Sequence, residues 1–123
     1  MTTGPADARA RGEAIERLAA AWLAERGLVL LASNQHAKGG ELDLVMRDGD
    51  TLVFVEVRHR ADNRHGHPLE TITPVKQRRL IKAARFYLHR TRLSCPCRFD
   101  VLAVTGLPPH LEYDGVANAF DAY

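Results

Sequence analysis

Cysteine is scarce in this sequence: the only two, Cys95 and Cys97, are separated by a single proline. Cysteines this close in a chain rarely pair in a disulfide, and Cys-x-Cys supplies at best half of a zinc site. These two residues alone therefore cannot form a complete zinc site, and we expect inert or surface thiols.

Long apolar runs are also missing. No stretch approaches the ~20 apolar residues needed to span a bilayer, and the first residues, 1–11, lack the apolar core of a signal peptide. We therefore expect a cytoplasmic protein with no membrane partner. Aromatic residues make up only 7% of the chain, and the sequence contains neither an aromatic ladder for stacking on single strands nor a groove-reading motif.

The remaining composition is that of an ordinary globular protein, with 46% hydrophobic and 26% charged residues. The chain has 123 residues, which is enough for one domain with one core. Its formal net charge of +2 is weak evidence for any partner. We expect a flexible N-terminus over 1–10 and a single domain over 11–123.

Apolar periodicity predicts two helices, the first over 11–26 with Gly27 as its C-cap and the second running from Pro74 to about Arg90 with Thr73 as its N-cap. Shorter apolar runs predict strands over 28–32, 41–46, 51–60, 98–105 and 110–113, with an apolar patch over 116–120 and a polar connection over 33–40. This order of elements predicts an α/β fold with a mixed central sheet flanked by helices.

The stretch from Gly39 to Arg60 is the most informative part of the sequence. Asp48-Gly49 lies between two apolar, β-branched runs, which predicts a β-hairpin. A two-residue loop at Asp48-Gly49, or a four-residue loop over 47–50, places Leu42 opposite Val55. Alternation then predicts one apolar face, made of Leu42, Leu44, Met46, Val53, Val55 and Val57.

The other face of the predicted hairpin carries three carboxylates, on Glu41, Asp43 and Glu56. In this register Glu41 lies opposite Glu56, and Asp43 is the diagonal neighbour of Glu56. Like charges placed opposite each other destabilise a sheet, so we expect a cation between them. Oxygen ligands suit Mg²⁺ or Mn²⁺, which lowers the pKa of bound water and neutralises charge that develops on a phosphate.

A basic residue, Arg58, follows Glu56 on the same face. It is suited to hold a phosphate or to stabilise developing charge, but its pKa above 12 makes it a poor general base. Asp43, Glu56 and Arg58 match the acid–acid–base pattern of metal-dependent nucleases, with arginine in place of lysine.

Further basic residues recur along the second predicted helix. They form either a solvated helix face or a surface that follows phosphates. On the second interpretation the nucleic-acid-binding residues are Arg58, Arg60, Lys76, Arg79 and Lys82.

Two other features of the sequence each allow two interpretations. Glu16, in the first helix, is either a surface acid favoured by the helix dipole or a residue that leans towards the hairpin carboxylates. His65 and His67 lie in a predicted loop, where they are solvated or contact a metal ion or a phosphate.

The sequence resembles the YraN-type family of small bacterial proteins, within the PD-(D/E)XK nuclease-like superfamily, from about Gly12 to Phe120. The residues that carry the resemblance are Gly12, Glu16, Trp22-Leu23, Gly40-Glu41-Leu42-Asp43-Leu44, Val53-Phe54-Val55-Glu56-Val57-Arg58, Lys76-Gln77, Arg98-Phe99-Asp100-Val101 and Asn118-Ala119-Phe120.

This resemblance implies a restriction-endonuclease-like α-β-β-β-α-β core, as in restriction enzymes and Holliday-junction resolvases. It also implies Asp43 and Glu56 as metal ligands, Glu41 or Glu16 as supporting acids, and Lys76 as a helix-borne basic residue facing the site. The chain departs from the superfamily pattern at Leu42, in place of Pro, and at Arg58, in place of Lys. A homodimer is expected only by analogy with the resolvases.

Three functions follow as hypotheses. The first is a metal-dependent endonuclease acting on DNA, on branched or damaged structures in particular. The second is a catalytically silent module that binds nucleic acid with a degenerate nuclease fold. The third is a protein-interaction domain whose charges are only surface charges.

Overall fold

The computed structural model describes residues 5–37, 39–62 and 72–121. These residues form two helices and five strands. In chain order the elements are α1 (Pro5–Ala24), β1 (Val29–Ala37), β2 (Gly40–Asp48), β3 (Thr51–Arg60), α2 (Pro74–Thr91), β4 (Cys97–Leu107) and β5 (His110–Phe120).

The five strands form one mixed sheet in the order β1-β2-β3-β4-β5. Strands β3 and β4 are parallel, and the other neighbours are antiparallel. A parallel pair needs a crossover, which α2 provides. The prediction of an α/β fold with a mixed sheet and helices on its faces is confirmed. No helix among the described residues is long and apolar enough to cross a membrane.

Helix α1 covers one face of the sheet. Its buried stripe includes Ile15, Ala19 and Leu23, which pack against residues of β2, β3 and β4. The helix ends at Ala24, and Gly27 closes its capping turn as predicted, since its φ of 95° lets the Leu28 N–H reach the carbonyl of Leu23 at 3.2 Å. Helix α1 begins at Pro5, earlier than the start at residue 11 that the sequence predicted.

Helix α2 covers the opposite face. Thr73 caps it as predicted, with its hydroxyl oxygen accepting a hydrogen bond from the Lys76 N–H at 3.1 Å. A side chain on Gly40 would place its Cβ 2.7 Å from the Arg79 carbonyl oxygen. Glycine at this position therefore lets β2 pass directly beneath the helix backbone.

Strands β1 and β5 are much longer than the sequence predicted, whereas β2 and β4 extend by only a few residues. Strand β1 continues through the expected polar connection to Ala37, and β5 joins the predicted strand and the apolar patch into one strand. Both are edge strands of the sheet. Backbone pairing with β2 and β4 supports them even where their side chains are polar and exposed.

The predicted hairpin register was wrong by two residues. Leu44, not Leu42, lies opposite Val55, and the two loop residues are Gly49 and Asp50. Gly49 has a φ of 60°, which suits the first central position of a type II′ turn. A shift of two residues preserves the alternation of faces, so most of the predicted apolar face is correct.

Candidate active site

The ladder between β2 and β3 stops at the pair formed by Leu44 and Val55. Beyond this pair the Val57 N–H donates to Asp43 Oδ2 at 2.9 Å, so a side chain takes the place of a backbone partner. Alternation also breaks here, because Leu42 packs beneath α2 whereas Leu44 packs beneath α1. This irregularity places the Asp43 carboxylate between the two strands, and such breaks often re-aim side chains beside active sites.

Glu56 lies on the α2 side of β3 and is only 5% exposed. Its Oε1 is 3.4 Å from Lys76 Nζ and 3.8 Å from Arg58 Nη1. Its Oε2 is buried and accepts no hydrogen bond from any described residue. Burial and then repulsion from Asp43 raise the pKa of Glu56 to about 7, while Lys76 opposes the rise.

A third carboxylate approaches Asp43 from helix α1. Glu16 is half-buried, and its pKa is raised to about 7, first by burial and then by repulsion from Asp43. A hydrogen bond from Asn34 opposes this rise. Asp43 therefore joins Glu16 and Glu56 in one acidic cluster, built from α1, β2 and β3. The interpretation in which Glu16 leans towards the hairpin carboxylates agrees with this arrangement.

Glu41 does not lie where the sequence predicted. Because the register differs by two residues, it is not opposite Glu56. It is exposed, with its Oε2 3.6 Å from His36 Nδ1, and it lines a groove of about 330 Å³ on the α1 side together with Glu16. Glu41 is therefore close to Glu16 rather than to Glu56.

The predicted basic residues divide between the cluster and the surface. Lys76 and Arg58 both contact Glu56. Arg79 and Lys82 are exposed further along α2, and the Lys82 side chain approaches the turn at Gly39. Arg60 is exposed at the end of β3, where it donates to the carbonyl of His59 at 3.1 Å.

The donor set within the described residues is small. No group of three or more His, Cys, Asp or Glu residues is arranged there to hold a metal ion. Two oxygen-donor side chains, Asp43 and Glu56, nevertheless lie next to each other, with one buried carboxylate oxygen unpartnered. Mg²⁺ commonly binds through one or two carboxylates, with waters and substrate phosphates completing its shell, so this pair fits such an ion.

Sequence reasoning missed Asn34. This residue lies in β1 with a φ of 50° and hydrogen-bonds to Glu16. Asparagine tolerates positive φ better than most residues, but the segment was predicted to be a loop, so nothing in the sequence pointed to the contact.

Two other candidates lie apart from the cluster. Cys97 Sγ donates to the Cys95 carbonyl at 3.3 Å, and burial raises the pKa of the Cys97 thiol to about 11. Both cysteines are free thiols, as predicted. His65 and His67 lie outside the described residues.

Comparison with known proteins identifies the family of this chain. A model described as "Uncharacterised protein family UPF0102" matches residues 15–104. The chain belongs to the UPF0102 family. The match spans Glu16, Asp43, Glu56 and Lys76, and it ends before β5.

Relatives extend over most or all of the chain. The UPF0102 protein of Chromohalobacter salexigens is 64% identical over 123 residues, which is 100% of both chains. Those of Herminiimonas arsenicoxydans and Nitrosococcus oceani are 53% and 50% identical, covering 90% and 82% of this chain and 86% and 83% of their own. The predicted YraN-type membership is thereby confirmed.

Proposed function

We propose that this UPF0102 protein is a metal-dependent endonuclease of the PD-(D/E)XK type that hydrolyses phosphodiester bonds in DNA, on branched or damaged structures in particular. The observation that carries the proposal is the buried, unpartnered Glu56 Oε2 beside the Asp43 carboxylate. A buried carboxylate beside a half-buried one costs free energy, and a divalent cation between them offsets that cost.

Asp43 and Glu56 would hold the Mg²⁺ or Mn²⁺ ion, and Glu16 and Glu41 on the α1 side would support it. When bound, the ion supplies an activated water and neutralises charge on the phosphate. The chain itself contributes the rigid placement of both carboxylates at the end of the β2–β3 ladder.

Lys76 and Arg58 supply positive charge at the same place. Arg58 stands where the superfamily pattern has lysine, and its guanidinium is suited to hold phosphate oxygens rather than to move a proton. Lys76 supplies the missing amine from α2, because its Nζ already lies 3.4 Å from Glu56 Oε1. Arg60, Arg79 and Lys82 would contact phosphates outside the reacting one.

A second candidate is a catalytically silent nucleic-acid-binding module. The ion pair between Lys76 and Glu56 favours it, because the amine already neutralises part of the charge that a cation would otherwise meet. This candidate predicts salt-dependent binding that is weakened when Lys76, Arg79 and Lys82 lose their charge, and that is indifferent to Mg²⁺.

Calorimetry with Mg²⁺ and Mn²⁺ tests the first candidate, using the wild type and the Asp43→Asn/Glu56→Gln double variant. We expect the double variant to lose cation affinity by about tenfold or more. The single variant Glu56→Gln should also cut branched DNA about a hundredfold more slowly. Glu25→Gln, which removes an exposed carboxylate just beyond the C-terminal end of α1, is the matched control.

A folded Glu56→Gln protein that cuts DNA as fast as the wild type contradicts the nuclease proposal. Wild-type protein that binds DNA but neither binds the cation nor cuts supports the silent module instead.

A further inference from the structure

We propose that the outer face of α2 binds unpaired nucleotides, with the ring of Phe86 serving as a platform on which a base stacks. This inference rests on the proposed nucleic-acid function and names the kind of strand received, which is one whose bases are exposed.

Phe86 is set apart from the other phenylalanines. Phe54 stacks on Phe99 at a centroid distance of 5.4 Å, and Phe99 stacks on Phe120 at 4.7 Å, all beneath α2. Phe86 is instead 48% exposed, on the side of α2 that also carries Lys82 and Arg90. Its ring therefore presents apolar surface to solvent rather than filling the core.

The surroundings of Phe86 are strongly positive. The 18 residues of α2 include no Asp or Glu. They include the basic residues Lys76, Arg78, Arg79, Lys82, Arg85 and Arg90. Lys82 and Arg90 lie one turn before and one turn after Phe86, on the same side of the helix. Arg90 is held by a hydrogen bond from its Nη2 to Gln35 Oε1 at 2.7 Å. An exposed ring between cations is complementary to a polyanion that carries aromatic bases.

The position of Phe86 fits a strand that leaves the candidate active site. Phe86 follows Lys76 by ten residues, or about 15 Å along the helix axis. A phosphate backbone that enters at Lys76 and follows α2 passes Arg79 and Lys82 before a base reaches the ring. The stacked base would therefore lie a few nucleotides from the reacting phosphate.

Unpaired bases suit this platform better than a duplex or a lipid surface. In a duplex the base faces are already stacked on one another. A helix that binds a membrane surface needs an apolar face free to insert, whereas the apolar stripe of α2, including Leu80 and Tyr87, is buried against the sheet. Among the large hydrophobic residues of α2, Val75 and Phe86 are the exposed ones in the described structure.

Fluorescence anisotropy with three labelled probes tests the inference. The probes are an oligothymidine of about 20 nucleotides, an abasic strand of the same length, and a blunt duplex. We expect Phe86→Ala to weaken binding of oligothymidine by about five- to a hundredfold, while the other two dissociation constants change less than about twofold. Phe86→Trp should retain the affinity.

Leu107→Ala is the matched control, because Leu107 is 62% exposed at the end of β4, outside α2. Equal weakening of all three probes by Phe86→Ala, or no weakening, overturns the inference. Either result leaves the cation-binding and cleavage tests of the proposed function intact. Tighter wild-type binding to phosphatidylserine vesicles than to oligothymidine, lost in Phe86→Ala, would overturn it in favour of a membrane surface.

Discussion

Two buried carboxylates, Glu56 and Asp100, lie on the neighbouring parallel strands β3 and β4. Asp100 Oδ1 accepts hydrogen bonds from Arg98 Nε at 3.0 Å and from the Asn118 N–H at 2.9 Å. Arg98 also reaches Asp48 Oδ2 at 2.9 Å, which ties the hairpin to β4 and β5. Glu56 has one contacted oxygen and one without a hydrogen bond among the described residues.

This difference separates a structural carboxylate from a functional candidate. Asp100 belongs to a hydrogen-bonded network that offsets the cost of its burial. The cost of burying Glu56 is offset less completely, and the pKa of Glu56 is accordingly raised to about 7. Unsatisfied buried polar groups are rare in native proteins and concentrate at functional sites, so the two residues differ in role although both are acids in strands.

The largest effect is expected from breaking the satisfied network. Asp100→Ala leaves the Asn118 N–H without its acceptor and removes one of the two carboxylates that pair with half-buried Arg98, which should lower the free energy of unfolding by about 2–4 kcal/mol. Urea denaturation measures this change. Asp50→Ala, in the exposed hairpin loop, is the control, and an equal loss in both variants would contradict the structural role of Asp100.

Replacing Glu56 should have a smaller effect of opposite sign, which is a rise in the free energy of unfolding. The pKa of Glu56 is about 7 in the folded protein, whereas the unfolded chain loses this proton near pH 4.5. Wild-type stability should therefore fall as the pH rises through this window, because the folded state binds more protons there. Glu56→Gln should stabilise the protein by about 1–3 kcal/mol at pH 8 and by much less at pH 4.5.

Thermal and urea unfolding across this pH range measure the effect at Glu56. Glu16 retains its own raised pKa, so part of the wild-type pH dependence should remain in Glu56→Gln. Glu56→Gln protein that is less stable than the wild type at pH 8 would mean that Glu56 is satisfied in the same way as Asp100.

The smallest expected effect tests the role of Lys76, the positive charge beside Glu56. Lys76 lowers the pKa of Glu56 across 3.4 Å. Lys76→Met should raise that pKa further, by about one unit or less because Lys76 is partly exposed. NMR titration of carbon-labelled glutamate measures the shift. Lys82→Met, on the same helix near Gly39, is the control, and the same shift in both variants would contradict a specific pair.

Local sequence signals predicted a large part of the architecture. Thr73-Pro74 fixed the start of α2, and Gly27 fixed the end of α1, because caps depend on backbone conformations that few residues favour. The outer strands were harder to predict. Strand β1 continues through Asn34 and His36, whose polar side chains indicated a loop, because pairing with β2 overrides the local preference.

The candidate site was likewise predicted only in part. Asp43, Glu56 and Arg58 were chosen from their spacing on a hairpin. The register behind that choice was wrong, because the turn places Gly49 rather than Asp48 at its first central position. A two-residue shift preserves parity, and Asp43 and Arg58 still lie beside Glu56. Glu41 was displaced from Glu56 by the same shift.

The sequence by itself determined most of the elements, most of the faces that they bury and the candidate carboxylates of the hairpin, because these follow from periodicity, caps and donor type. Only the tertiary structure decided that Glu16 meets Asp43, that Glu41 lies away from Glu56, and that Phe86 remains in solvent. Those contacts join elements far apart in the chain. Helix packing on the sheet sets such distances, and no local pattern encodes them.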